Sequence, residues 1–70
     1  MNELAMRQFL SLKPFEPFTV ITSSGDRYLV KHPDNALLTK TKIVIVNPED
    51  DTIAICALLH VASVQTQQAA

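Results

Sequence analysis

Apolar residues change their spacing once along this chain, at about residue 13. Before that point Ala5, Met6, Phe9 and Leu10 recur at three- and four-residue intervals, the spacing of one helix face. After it they alternate with polar residues or run together over four to seven positions, as strand residues do. The first pattern predicts a helix over residues 2–12, with Asn2 as its cap and Glu3 at the positive end of its dipole. Pro14 stops it, and by restricting Lys13 sets the helix end near Leu12. The stiff segment Pro14-Phe15-Glu16-Pro17-Phe18 then folds the helix back onto the strands.

The second pattern predicts short strands. Thr19, Val20, Ile21 and Thr22 favour a strand over residues 18–23, and Ser24-Gly25-Asp26 supplies a turn in which Gly25 takes positive φ. Residues 27–32 return, with Tyr28 and Val30 on one face and Arg27, Leu29 and Lys31 on the other. Pro33 has no amide hydrogen for a ladder, so His32-Pro33-Asp34-Asn35 marks a bulge, a bend or a sheet edge. A short strand over 36–39 comes next, then the polar connection Lys40-Thr41-Lys42 and the run Ile43-Val44-Ile45-Val46, which is apolar on both faces. Asn47-Pro48-Glu49-Asp50-Asp51 fits a hairpin loop with Pro48 at the second position of a type I turn. Residues 52–58 return, Leu59-His60-Val61 makes a 3₁₀-like turn, 62–65 form a last strand, and the tail 66–70 frays.

These elements place the chain in the α+β class, mainly β. The expectation is one N-terminal helix over about 2–12 and a strongly bent five- to six-stranded antiparallel sheet, or a small barrel, over about 18–65. Closure of such a sheet removes edges. An open sheet with the helix across one face is the alternative.

Length bounds this further. Seventy residues hold one core and no second domain, and a domain this small often gains support from a disulfide, a metal or a partner subunit. Cys56 is the only cysteine, which excludes an intramolecular disulfide and fits a reducing compartment. No stretch reaches the roughly 20 apolar residues of a membrane span, and the first residues lack the pattern of a secretory signal, so the expectation is a cytoplasmic protein with no membrane contact.

The apolar excess on two strands carries the clearest functional signal. Residues 43–46 and 53–59 offer apolar side chains to both faces, and one short helix covers only one face of a sheet. A second copy of the chain, through strand-edge pairing or face packing, is the simplest cover for the remainder, with Ile43, Ile45, Ile53 and Ile55 as interface candidates. Another protein partner is the next.

Chemistry is sparse. His32 and Asp34, joined by His60 if the fold brings it near, are the metal or acid–base candidates, although their spacing matches no ligand signature. Glu49-Asp50-Asp51 lacks the alternating ligands and central glycine of a calcium loop. Cys56 lies in an apolar strand without an adjacent cation, no serine has a nucleophile-elbow context, and Gly25 alone cannot build a phosphate loop. No enzyme activity and no cofactor are therefore expected. Arg27, Lys31, Lys40 and Lys42 are the candidates for a nucleic-acid surface, yet six basic residues against seven acidic ones give a net charge of −1, which does not support a dedicated RNA binder.

Taken together, Pro14-Phe15-Glu16-Pro17-Phe18, Gly25 and Tyr28-Leu29-Val30-Lys31-His32-Pro33-Asp34 resemble a family of short uncharacterised bacterial proteins that share a P-F-x-P-F segment, a glycine hairpin and a V-x-H-P-[D/E] bend. That resemblance spans most of the chain and implies no activity. Gly25 and the stretch His60-Val61-Ala62-Ser63 also resemble parts of Sm-like barrels such as bacterial Hfq, in which a helix precedes a bent five-stranded sheet and the chains form rings. This second resemblance implies RNA binding, with His60 near a base pocket. The reading favoured by the residues themselves is a non-enzymatic small-barrel assembly or protein-interaction module. An Sm-like RNA binder and a small-ligand or metal-binding module are the alternatives.

Overall fold

The structure, a computed structural model, describes residues 1–66. Helix α1 spans Glu3–Leu10. Asn2 caps it, its Oδ1 accepting from the Ala5 N–H at 2.8 Å, and the Arg7 guanidinium donates to Glu3 one turn back at 3.0 Å. The helix ends two residues earlier than its spacing suggests because the Ser11 N–H bonds to both Arg7 and Gln8 carbonyls, the tightened last turn that closes many helices. Its apolar face places Met6 wholly in the core. The connection, with a cis Lys13–Pro14 bond, brings Phe15 onto Phe18. Phe18 is fully buried between tilted rings, Phe9 at 5.5 Å and Phe15 at 6.0 Å between centroids.

Strands β1 (Phe18–Thr22) and β2 (Arg27–Val30) form an antiparallel hairpin in which Val20 pairs with Tyr28 and Phe18 with Val30. Gly25 turns it at φ 92°, and the Asp26 N–H donates to Thr22 Oγ1. After β2, His32 Nδ1 accepts from the Asp34 N–H and the His32 carbonyl from the Asn35 N–H, closing a 3₁₀ turn over Pro33–Asn35. Strands β3 (Ala36–Leu38), β4 (Lys42–Asn47) and β5 (Thr52–Ala57) continue as an antiparallel meander. Its first turn is held by Thr39, whose backbone and hydroxyl both bond to Lys42, and its second by the Asp50 N–H bonding to the Asn47 carbonyl across Pro48. A 3₁₀ turn over Leu58–His60 leads into β6 (Val61–Thr66), which pairs with β1, so the first and last strands lie side by side.

The single bent sheet expected from sequence is divided into two three-stranded sheets, ordered β2-β1-β6 and β3-β4-β5, and no closed barrel forms among the described residues. The breaks fall at the two 3₁₀ corners. Pro33 cannot donate to a ladder, and the Leu58 and Ser23 N–H groups bond to the Thr41 and His60 carbonyls across the second corner. Between the sheets lies one core of Met6, Phe18, Val20, Val30, Ile43, Ile45, Cys56, Leu58 and Val61. Of the tail expected to fray, Thr66 ends β6 and residues 67–70 lie outside the described residues. No described helix is long and apolar enough to cross a membrane.

Candidate functional site

Strand β4 is apolar on both faces, and pairing assigns each face. Ile43 pairs with Cys56 and Ile45 with Ala54 on the inward side; Val44 pairs with Ile55 and Val46 with Ile53 on the outward side. On the other flank Leu37 of β3 stands opposite Val44. One outward row therefore reads Leu37, Val44, Ile55, and the next continues with Val46 and Ile53. Leu37, Ile53 and Ile55 are 64%, 68% and 67% exposed, so nothing in the described chain covers them. Isolated exposed apolar residues are ordinary, but these adjoin across three strands and make one contiguous apolar patch on the sheet face.

This patch has charged ends. Lys40 and Lys42 stand where β4 begins, and Glu49, Asp50 and Asp51 form the hairpin tip beyond its other end. At about 3.3 Å per residue the length of β4 separates them by roughly 17 Å. The tip is well ordered by its own bonds: Asp50 Oδ1 accepts from the Thr52 hydroxyl at 2.6 Å and its N–H at 3.3 Å, and Asp51 takes φ 59°, a left-handed conformation that Asp tolerates. Lys31 Nζ is 2.9 Å from both Glu49 carboxylate oxygens. None of Lys40, Lys42, Asp50 and Asp51 has an ion-pair partner among the described residues. Strand β5 borders the patch as a free edge, and its sequence Thr-Ile-Ala-Ile-Cys-Ala carries none of the charges or prolines that usually guard edges.

The four interface candidates separate into two pairs. Ile43 and Ile45 are fully buried in the core, whereas Ile53 and Ile55 lie outward. A run that is apolar on both faces gives no parity, and only the register of β4 against β5 decides which member points where. Leu37, within a strand of three residues, has no alternation of its own to reveal it.

The cation candidates do not form one cluster. Arg27, at the start of β2, donates to Gln65 of β6 at 3.1 Å, Lys31 is held at the acidic hairpin tip, and Lys40 and Lys42 lie at the opposite end of β4. Lys31 is separated from Lys40 and Lys42 because the β3–β4 turn and the β4–β5 turn are at opposite ends of the same strand. His32 Nδ1 and Asp34 Oδ2 are 3.6 Å apart at the first corner, while His60, exposed at the second, belongs to the end of β1 through the bond from Ser23. Among the described residues no three His, Cys, Asp or Glu side chains are placed to hold a metal.

Beside the β5 edge, a shallow cleft of about 450 Å³ is lined by Thr22, Ser24, Asp26, Tyr28, Cys56 and His60. Burial, and then the Asp26 carboxylate, push the Cys56 thiol up, and Asp26, followed by burial, raises the Tyr28 hydroxyl. Both groups hold their protons at neutral pH, so the cleft presents no activated thiolate or phenolate. Compared with protein families, with curated proteins and with solved structures, the chain matches none.

Proposed function

We propose that the protein works without enzymatic chemistry, as an assembly or protein-interaction module that docks through the outward face of β3, β4 and β5. The observation that carries this reading is the exposure of Leu37, Ile53 and Ile55 around Val44 and Val46. Covering that face removes apolar surface from water, which is the dominant favourable term in association. The neighbouring uncharged β5 edge adds unpaired backbone groups to the same side of the molecule.

A small-barrel, Sm-like architecture is supported by the pairing of the first and last strands and by the two 3₁₀ corners that carry the chain between the sheets. An RNA-binding role has less support, since Arg27 and Lys31 are engaged with Gln65 and Glu49 and Lys31 stands at the opposite end of β4 from Lys40 and Lys42. Light scattering of the wild type and of an Ile53→Lys/Ile55→Lys variant, from about 1 μM to about 1 mM, tests the docking face. The wild type is expected to exceed the 7.8 kDa of one chain as concentration rises, and the variant to stay at one chain. A variant that associates as well as wild type contradicts the reading, and a wild type fixed at one chain removes its assembly form.

A further inference from the structure

Docking on this face leaves open what docks there, and the distribution of charge around it selects an occupant. From the two charged ends of the patch we infer that the outward face of β3-β4-β5 packs against the same face of a second copy, with the two β4 strands antiparallel. This inference rests on the docking face proposed above and adds its partner and geometry.

The two ends carry charge of opposite sign. Lys40 and Lys42 place two positive charges at the start of β4. The carboxylates of Glu49, Asp50 and Asp51 at the other end, less the Lys31 ammonium already paired with Glu49, leave a surplus of two negative charges, to which the exposed Asp34 of the adjoining 3₁₀ turn adds a third. The patch between them is apolar. Such a surface is complementary to itself in one orientation only.

Isologous interfaces bring the same patch of two subunits together about a two-fold axis. If the axis runs along β4, each basic end meets the other basic end and each acidic end the other acidic end, which costs free energy twice. With the axis in the interface and perpendicular to β4, both contacts become attractive. Each lysine pair then faces the other copy's acidic tip. Facing sheets pack about 10 Å apart with strands nearly aligned, a gap that Lys and carboxylate side chains at the rim can span. The roughly 17 Å length of β4 exceeds the Debye length of about 8 Å at physiological salt, so the two ends act as separate contacts.

Between them, the rows Leu37–Val44–Ile55 and Val46–Ile53 meet their counterparts and form the dry centre of the interface. A sheet face suits a sheet partner, and the patch needs no residue from elsewhere in the chain. Apolar contact supplies the affinity, and the rim charges set the orientation.

The test is charge exchange between two variants. K40E/K42E makes both ends of β4 acidic; E49K/D50N/D51N makes both ends basic, with Asn at position 50 keeping an oxygen for Thr52 and Asn at position 51 accepting the left-handed backbone there. Each variant alone is expected to self-associate about tenfold or more weakly than wild type, because like charges then face each other at both ends. An equimolar mixture is expected to recover association to within about threefold of wild type, as a mixed dimer with opposite charges at both contacts. Recovery also shows that both variants fold. If wild type associates and Ile53→Lys/Ile55→Lys does not, yet the mixture fails to recover, the antiparallel two-fold geometry is wrong while the docking face stands. Failure of wild type to associate overturns the second copy as the occupant, and persistence of association in the isoleucine variant removes the face itself.

Discussion

Val44 of β4 stands directly across from Ile55 of β5 on the outward face of the second sheet, one residue away on each strand from the inward pair Ile43 and Cys56. Two adjacent pairs of similar chemistry thus serve opposite purposes. Ile43 holds the two sheets together, whereas Ile55 touches its neighbours on the outward face and stays largely exposed among the described residues. In the proposed docking, the separation of stability from association comes from this parity.

Ile43→Ala is expected to destabilise the folded chain by about 2–5 kcal/mol, the cost of a cavity in a packed core. Ile55→Thr keeps the β-branched shape at an exposed site and is expected to change stability by no more than about 0.5 kcal/mol while weakening association. Urea titration at a concentration low enough to keep single chains gives both values. Equal losses for the two substitutions would contradict the assigned register.

Much of this was legible in the residues. The three- and four-residue spacing of Ala5, Met6, Phe9 and Leu10 predicts α1, and Gly25 and Pro48 mark hairpins that the structure contains. The placing of Tyr28 and Val30 on one face agrees with their packing in and against the core, although Leu29 on the other face is itself half-buried. What escaped depends on pairing. Nothing within Ile43-Val44-Ile45-Val46 distinguishes inward from outward, and the opposed charges of Lys42 and Asp51 become meaningful only once both are seen at the ends of one strand. The division into two sheets turns on bonds such as Leu58 N–H to Thr41, between residues 17 positions apart, which no local pattern encodes.

Gly25→Ala is expected to cost about 1–2 kcal/mol, measured as a lower melting temperature. An added Cβ at Gly25 would meet nothing within 4 Å, so the penalty is conformational and comes from φ 92° alone. Gly25→Asn should recover part of the loss, since Asn enters the left-handed region more readily than Ala. A neutral Gly25→Ala would mean that the hairpin turns differently.

Asn2 holds the first turn of α1 through its 2.8 Å bond from Ala5. Replacing it by Ala should cost about 1 kcal/mol, and Asn2→Asp should retain most of the stability because the carboxylate caps equally well. Denaturant midpoints of the two variants check this. Similar losses in both would place the stabilising contact elsewhere.

Stability should fall in mildly alkaline solution in a way that Cys56 controls. Its thiol holds a proton more tightly folded than unfolded, because of burial first and Asp26 second, so the native state binds more protons just above the ordinary thiol value of 9.0. The thiol contribution is therefore complete below that value and is lost as pH rises above it, through the raised folded value. Tyr28 is shifted in the same direction, chiefly by Asp26, and adds to the decline at higher pH. Urea midpoints measured from neutral pH upward should show a shallower early decline in Cys56→Ala than in wild type; identical slopes would contradict the assignment.

The central claim, that the outward face of β3-β4-β5 is where a second chain docks, is tested most directly by recording amide and methyl NMR signals as the wild-type protein is concentrated. Shifts are expected at Leu37, Val44, Val46, Ile53 and Ile55, with further changes at Lys42 and Asp51 at the two ends, and still signals for Ile43 and Ile45 in the core. Shifts confined to another surface, or a spectrum unchanged across the range, would contradict it.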